Sequence, residues 1–429
     1  MRYQRIDPKL FVENRKRLAA QMAPNSIAVV NANDLMPKNS DALSLMVPQT
    51  DLFWLSGIEQ EETILLICPN AFDEKLREVL FVRETSALLK IWEGHKHSPA
   101  EASEISGIKN VQLLAEFPAI FHRLMCEVET VYLNSIEHPR ASIVVETRDR
   151  RFITDCQRRY PLHRYERLGR LLFKLRGVKS KREIELLRKA ADISGKGFAR
   201  VAKALKPGVM EYELEAEYAH EFLRHGGHFA YSPIIASGPN SCVLHYVDND
   251  RPCKAGGVLL VDVAASYANY NADVTRTLPV SGKFSKRQRK VYDAVLRVQR
   301  ASIKGAKVGK LHRDWQKEAQ MMMNEELLSL GLIKKDDIKN QTDDRPASWK
   351  YFPHGLGHSL GLDVHDYGWT MEPFKEGWVI TVEPGIYIPK EGFGVRLENN
   401  IVIGKGGNED LCANIPIDAE AVEDLMHAR

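Results

Sequence analysis

Two aspartates set in adjoining apolar strands restrict how this 429-residue chain can fold. Gly256-Gly-Val-Leu-Leu-Val-Asp262 reads as a buried strand ending on an acid, and Asn271-Ala272-Asp273-Val274-Thr275-Arg276-Thr277 reads as a second strand after a short connection. An antiparallel hairpin centred near Tyr267-Ala268 pairs residues whose numbers sum to 535, which sets Asp262 opposite Asp273. Directly opposed Cβ atoms lie ~4.5–5.5 Å apart, where like charges destabilise a sheet. Such a pair needs a cation or a shared proton. Taken singly, one aspartate is a strand-end cap and the other faces the turn. A metal site would have to gather more oxygen and nitrogen ligands from elsewhere.

The downstream sequence offers them. His354-Gly-Leu-Gly-His358-Ser-Leu-Gly-Leu-Asp-Val-His365-Asp366 packs three of the chain's 14 histidines into one short segment. It is not the H-E-x-x-H helix of a zinc protease, because Gly355 stands where the glutamate belongs and Gly357 and Gly361 oppose a regular helix. Trp378-Val-Ile-Thr-Val-Glu383-Pro384-Gly385 is a strand running into an acid and a turn. In Val395-Arg396-Leu397-Glu398-Asn399-Asn400-Ile401 strand alternation puts Arg396 and Glu398 on one face. The bland account pairs Arg396 with Glu398 and makes Glu383 a charged strand terminus. Buried acids are rare unless paired or metal-bound. Asp262, Asp273, Glu383 and Glu398 together carry the charge that two divalent cations would cancel, and one neutral histidine completes an oxygen-rich set suited to Mn2+. Two such ions can activate a water at neutral pH, so the residues alone point to a metal-assisted hydrolase.

Composition bounds the rest. At ~150 residues per domain the length suggests two or three domains. Sixty Lys+Arg against 57 Asp+Glu leave a net charge of +3, too little to imply a nucleic-acid partner. No apolar run approaches the ~18 residues that cross a bilayer, and the N-terminus does not read as a signal peptide, so no membrane association is expected. Six scattered cysteines without C-x-x-C spacing disfavour a thiolate site or disulfide framework and fit a reducing cytoplasm. Residues 1–175 alternate short apolar strands (26–31, 63–68, 79–82, 130–133) with helices (8–21, 118–128), an α/β pattern. Ser180 and Glu183 have capping-box spacing at the start of a long helix that Pro207-Gly208 ends. Further helices are expected at 211–225, 285–308 and 315–330, with 333–350 an exposed loop. The expected architecture is α+β, with domains 1–175 and 176–429.

Asp, ten residues, Asp, then H-G-L-G-H, V-E-P-G and R-L-E closely resembles the dinuclear pita-bread (creatinase/aminopeptidase) peptidases, and within them aminopeptidase P. The resemblance extends to Ala236-Ser-Gly-Pro-Asn-Ser-Cys-Val-Leu-His245-Tyr246, and to Asn39-Ser40-Asp41 and Asp51-Leu-Phe-Trp-Leu-Ser-Gly57 in the N-terminal part. It implies a pita-bread catalytic domain behind a smaller α/β domain. It implies two divalent ions, Mn2+ first and Co2+ or Zn2+ as alternatives, held by Asp262, Asp273, His358, Glu383 and Glu398, with Asp273 and Glu398 bridging. The implied reaction removes the N-terminal residue from peptides with proline second, by attack of a metal-bridging hydroxide whose proton Glu383 handles. His245 and His365 match groups that contact the scissile carbonyl. His354 and Arg396 match groups that hold ligands and substrate, and Tyr387 a supporting aromatic. The resemblance also implies a homodimer or homotetramer built through the N-terminal domain, with Trp92 matching a tryptophan lent to a neighbour's pocket. Two departures stand out: Val47-Pro-Gln-Thr50 lacks the basic residue expected before the Asp51 motif, and Asn399 replaces a frequent Asp.

Three other readings compete. Methionine aminopeptidases share the five ligands but usually lack the N-terminal domain and the Arg two residues before the last Glu. Prolidases, which cleave Xaa-Pro dipeptides, generally carry an Arg between the last active-site His and the V-E-P-G acid to hold the dipeptide carboxylate. Residues 366–382 contain none. Some pita-bread domains are non-catalytic binding modules that have lost their ligands, whereas all five positions are intact in this chain.

Overall fold

The computed structural model describes residues 2–368 and 371–428. The chain forms two compact units, one from Gln4 to Arg176 and the other starting at Gly177 and taking in the residues before Gln4. The architecture is α+β, as the sequence leads one to expect.

The N-terminal unit is built on a six-stranded mixed sheet in the order Asn110–Leu113, Glu78–Val82, Ile64–Ile67, Ser26–Asn31, Thr130–Leu133, Arg164–Arg167. Ser26–Asn31 pairs antiparallel with Ile64–Ile67 on one side and parallel with Thr130–Leu133 on the other. All six of its residues are buried. That explains why its sequence shows an apolar run without alternation, the mark of a strand covered on both faces. Phe121, Leu124 and Met125 from the helix Phe117–Met125 pack into the same core.

The unit also answers the first departure. Asp51 is buried, and its partner is Arg176, 2.6 Å away and equally buried, with Asn134 donating to the other carboxylate oxygen at 3.0 Å. The cation absent from residues 47–50 is supplied from the far end of the unit. Removing either member would strand a buried charge, at a cost of about 3–5 kcal/mol.

In the C-terminal unit the long helix is Lys181–Ala204, with the Ser180–Glu183 capping box formed at both ends. Glu211–Arg224, Lys286–Gly305 and His312–Ser329 follow. The last begins three residues earlier than expected. Residues 333–350 are not a bare loop: they hold the short helix Lys335–Lys339 and the 3-10 turn Ala347–Lys350.

Small antiparallel sheets carry the acids. Val258–Asp262 lies between Thr275–Pro279 and Ile234–Ser237. Val379–Val382 pairs with Asn399–Val402, and Gly385–Ile388 with Phe393–Arg396. Apolar residues of both central helices and these strands, among them Val295, Trp315, Ile380, Val382 and Leu397, form one core.

The hairpin register differs from expectation. Asp262 faces Thr275, not Asp273. The tight turn is Ala268-Asn269, both at positive φ (51° and 64°), between Tyr267 and its partner Tyr270. A two-residue turn with both central residues at positive φ matches strand twist, and it moves the pairing by two residues. An even shift leaves every side chain on its face, so Asp262 and Asp273 become diagonal neighbours on the same side.

Candidate metal centre

The Gly-rich histidine segment is extended, as its glycines indicate. Ser359 bridges to Ile380, and Thr381 and Glu383 donate their N–H groups to the carbonyls of His358 and Leu356 at 2.9 and 2.8 Å. Gly357 permits this approach, since a Cβ there would collide with the Thr381 carbonyl oxygen. Laid along Val379–Val382, the segment brings His358 beside Glu383.

Asp273, His358 and Glu398 each offer one ligand atom within 4.8 Å of the other two. His358 Nε2 lies 3.4 Å from Asp273 Oδ2 and 3.6 Å from Glu383 Oε1. Its Nδ1 donates to the Ser359 carbonyl at 3.1 Å, which leaves the Nε2 lone pair turned to the acids. Asp262 completes the group, close enough for its charge to act on Glu383 and Glu398. The structure thus gathers all five residues singled out as ligands.

Arg396 pairs not with Glu398 but with Asp262, its Nη2 donating to Oδ2 at 2.6 Å. Strand alternation put it on the face of Glu398 correctly; the neighbouring sheet supplies a better-placed acid. Its other nitrogens donate to Thr275 Oγ1 at 3.1 Å and the Tyr387 hydroxyl at 2.9 Å.

Several positioning groups were not foreseen. Thr275 donates to Glu398 Oε2 at 2.6 Å. Thr381 accepts the His358 N–H at 3.0 Å and sits 3.5 Å from Glu383 Oε1. Each threonine is two residues from an acid just outside its strand, so alternation could have flagged both. Asn400 brackets the Asp273 backbone, accepting its N–H at 3.0 Å and donating to its carbonyl at 2.5 Å. Tyr231 donates to Asp262 Oδ1 at 2.6 Å, and no spacing in the sequence signals it. Asn399 donates to Asp410 at 2.6 Å, a structural contact beside the centre.

The remaining histidines divide by exposure. His245 and His365 are exposed; the His365 ring meets His358 edge-on with centroids 4.3 Å apart. The next residue, Asp366, is buried in an ion pair with Lys179 at 3.0 Å, which anchors this loop. His354 is half-buried, with Nε2 2.8 Å from the Tyr387 hydroxyl and Nδ1 2.9 Å from the Gly355 carbonyl. Because the Tyr387 oxygen already accepts from Arg396, its proton points to His354 Nε2, and His354 carries its own proton on Nδ1. Burial, reinforced by Arg396, holds the His354 pKa down to about 3, so the ring stays neutral. Tyr387→Phe removes that donor and should lower kcat about 10-fold or more while KM holds, as loss of a supporting hydrogen bond does. An unchanged kcat would mean the Arg396–Tyr387–His354 chain is only structural.

The electrostatics call for a cation. Burial pushes Glu383 up to about 7, with His358 pulling down and Asp273 pushing up. Burial lifts Glu398 well above the carboxylate range, and Asp273 and Glu383 add to the rise. Burial likewise raises Asp262, against the pull of Arg396. Burial opposes a proton on His358, yet the Asp273 and Glu383 carboxylates outweigh it and raise its pKa. Acids so crowded keep protons unless positive charge replaces them. Carboxylates and one imidazole, with no thiolate, are the donor set of a hard or borderline divalent ion.

An α+β chain that assembles acids and a histidine in this way on small antiparallel sheets has the design of a metal-dependent hydrolase. The chain belongs to metallopeptidase family M24, which it matches over residues 185–405, and residues 11–132 match the aminopeptidase P N-terminal domain. It is 32% identical to the Xaa-Pro aminopeptidase of Haemophilus influenzae over 431 residues, covering 97% of each chain. It is 32% identical to the Escherichia coli Xaa-Pro aminopeptidase over 439 residues, covering 99% of this chain and 98% of that one. Among solved structures it resembles zinc-substituted Escherichia coli aminopeptidase P in complex with product (TM-score 0.87, 31% identity, 99% of each chain). It also resembles the Pseudomonas aeruginosa aminopeptidase PepP (TM-score 0.89, 30% identity, 99% of this chain and 98% of that one). Among the described residues no helix is long and apolar enough to cross a membrane.

Proposed function

We propose that the chain is an Xaa-Pro aminopeptidase, releasing the N-terminal residue from peptides whose second residue is proline. The observation that carries this reading is the meeting of Asp273, His358 and Glu398 within 4.8 Å in a chain related over its full length to Xaa-Pro aminopeptidases. Asp262, Asp273, His358, Glu383 and Glu398 would hold two divalent ions, for which Mn2+ best suits the oxygen-rich set. Bound there, the ions would supply a water activated at neutral pH and charge to offset that developing on the scissile carbonyl.

The chain's own groups do the rest. Glu383 takes the proton of the attacking water and returns it to the departing proline nitrogen, which in the peptide is a tertiary amide without its own hydrogen. His245 and His365, both exposed, donate to the carbonyl oxygen as it gains charge. His354, neutral and oriented by Tyr387, has its Nδ1 3.7 Å from Glu383 Oε2 and steadies that carboxylate. Arg396 fixes Asp262.

An Xaa-Pro-Xaa tripeptide should be hydrolysed readily at saturating Mn2+ and an Xaa-Pro dipeptide poorly. Turnover confined to the dipeptide would overturn this reading in favour of prolidase.

We also propose that residues 1–175 form an oligomerisation domain and that the protein is a cytoplasmic homodimer or homotetramer. The helix Ala87–Glu93 buries no residue and exposes Leu88, Ile91 and Trp92 by 65%, 78% and 80%, which supports a covered face. Six unpaired cysteines fit the compartment. Light scattering should give a multiple of 48.7 kDa; an active monomer would refute the oligomer.

A further inference from the structure

A second set of metal-capable side chains lies in the N-terminal unit, in the loop between the helices Ala87–Glu93 and Pro99–Ser106 and in the first turn of the latter. We propose that His95, His97 and Glu101 form a separate site for one zinc-class divalent ion.

The ligand atoms of the three residues all lie within 4.8 Å of one another. His95 Nε2 is 3.0 Å from Glu101 Oε1, and the two imidazoles meet nearly edge-on, centroids 6.0 Å apart at 81°. On one tetrahedral ion with bonds of about 2.1 Å, ligand atoms sit roughly 3.4 Å apart. The loop therefore needs only a small contraction to close on a metal.

Other contacts hold the ligands in place, as outer partners do in built metal sites. Glu101 Oε2 accepts from the Ser98 N–H and the Ser98 hydroxyl, both at 2.8 Å, which turns Oε1 toward His95. The His97 backbone N–H donates to Gln60 Oε1 at 2.6 Å. Lys96, between the histidines, is drawn to Glu61 at 2.6 Å, so its charge is engaged elsewhere.

The donor set separates this site from the carboxylate centre. Two imidazoles and one carboxylate favour Zn2+, Ni2+ or Cu2+ over Mn2+ or Mg2+, which prefer oxygen. Three protein ligands leave a fourth position for water or another donor. The competing account is a surface ion pair between His95 and Glu101, their side chains 60% and 44% exposed. Such a pair contributes about 1 kcal/mol or less and needs only one histidine. With metal, the loop becomes a clip between two helices, the first of which buries no residue of its own.

The test is zinc stoichiometry of the full-length protein after equilibration with micromolar Zn2+, read by elemental analysis. Wild type should hold one Zn2+ per chain more than the His95→Ala/His97→Ala variant. The variant should keep its circular dichroism and its Mn2+-supported peptide hydrolysis. A Glu101→Gln variant should bind that extra ion weaker by about 10–100-fold or more, since losing a direct ligand should exceed the effect of losing an outer partner. Equal stoichiometry in wild type and double variant, or an extra ion bound only at millimolar Zn2+, would overturn the site.

Discussion

Asp273→Ala should lower turnover of an Xaa-Pro tripeptide by about a thousandfold or more at saturating Mn2+. A divalent ion contributes several kcal/mol of charge stabilisation, and ~1.4 kcal/mol is a tenfold rate. Asp273 stands 3.4 Å from His358 Nε2, and its charge bears on Asp262, Glu383 and Glu398. Losing it leaves three carboxylates where four balance two divalent ions, so metal content should fall below two per chain. The fold should survive, because Asn400 brackets the backbone of residue 273 through its N–H and carbonyl, groups that alanine retains. Activity and metal content, read beside a denaturation curve, separate the two accounts of this aspartate. A mere strand-end cap would lose stability and keep its rate, and a near-normal rate would sink the metal assignment.

What the sequence made legible was alternation within strands and segments; what it hid was pairing between them. Arg396 and Glu398 share a face by a two-residue period, but that Arg396 reaches Asp262 depends on how one sheet lies against another. The hairpin register failed for a local reason. Asn269 is a residue that tolerates positive φ, but Ala268 at φ 51° pays a steric penalty nothing in its neighbourhood announces. The error was even-numbered, so it misplaced the partner of Asp262 without misplacing its face. Thr275 and Thr381 were legible in principle, two residues from Asp273 and Glu383. Tyr231 and Asn400 were not, since each meets its acid only through tertiary packing. In the N-terminal unit the Asp51 motif appeared to lack its cation because Arg176 lies 125 residues away in the chain. The helix Ala87–Glu93 sets Leu88, Ile91 and Trp92 at helical spacing, but that face stays exposed and the helix spans only 7 residues, too short a run for its period to stand out.

Glu383→Gln tests the proton-handling role apart from the charge balance. Glutamine keeps the length of the side chain and one accepting oxygen, so contacts of the kind made by Thr381 Oγ1, 3.5 Å from Oε1, can persist. It cannot take a proton at neutral pH. Loss of a positioned acid–base group lowers rates by about 10²–10⁴-fold. That loss should fall on kcat, with KM for the tripeptide nearly unchanged, because the residue acts on the water rather than on the peptide. The substitution also removes one negative charge, so metal affinity should weaken, and the assay must be run over a range of Mn2+ until the rate is flat. If the rate climbs back to wild type as Mn2+ rises, Glu383 serves only as a ligand and the proton passes through another group. If the rate stays at least about a hundredfold low with the centre filled, the carboxylate itself carries the proton.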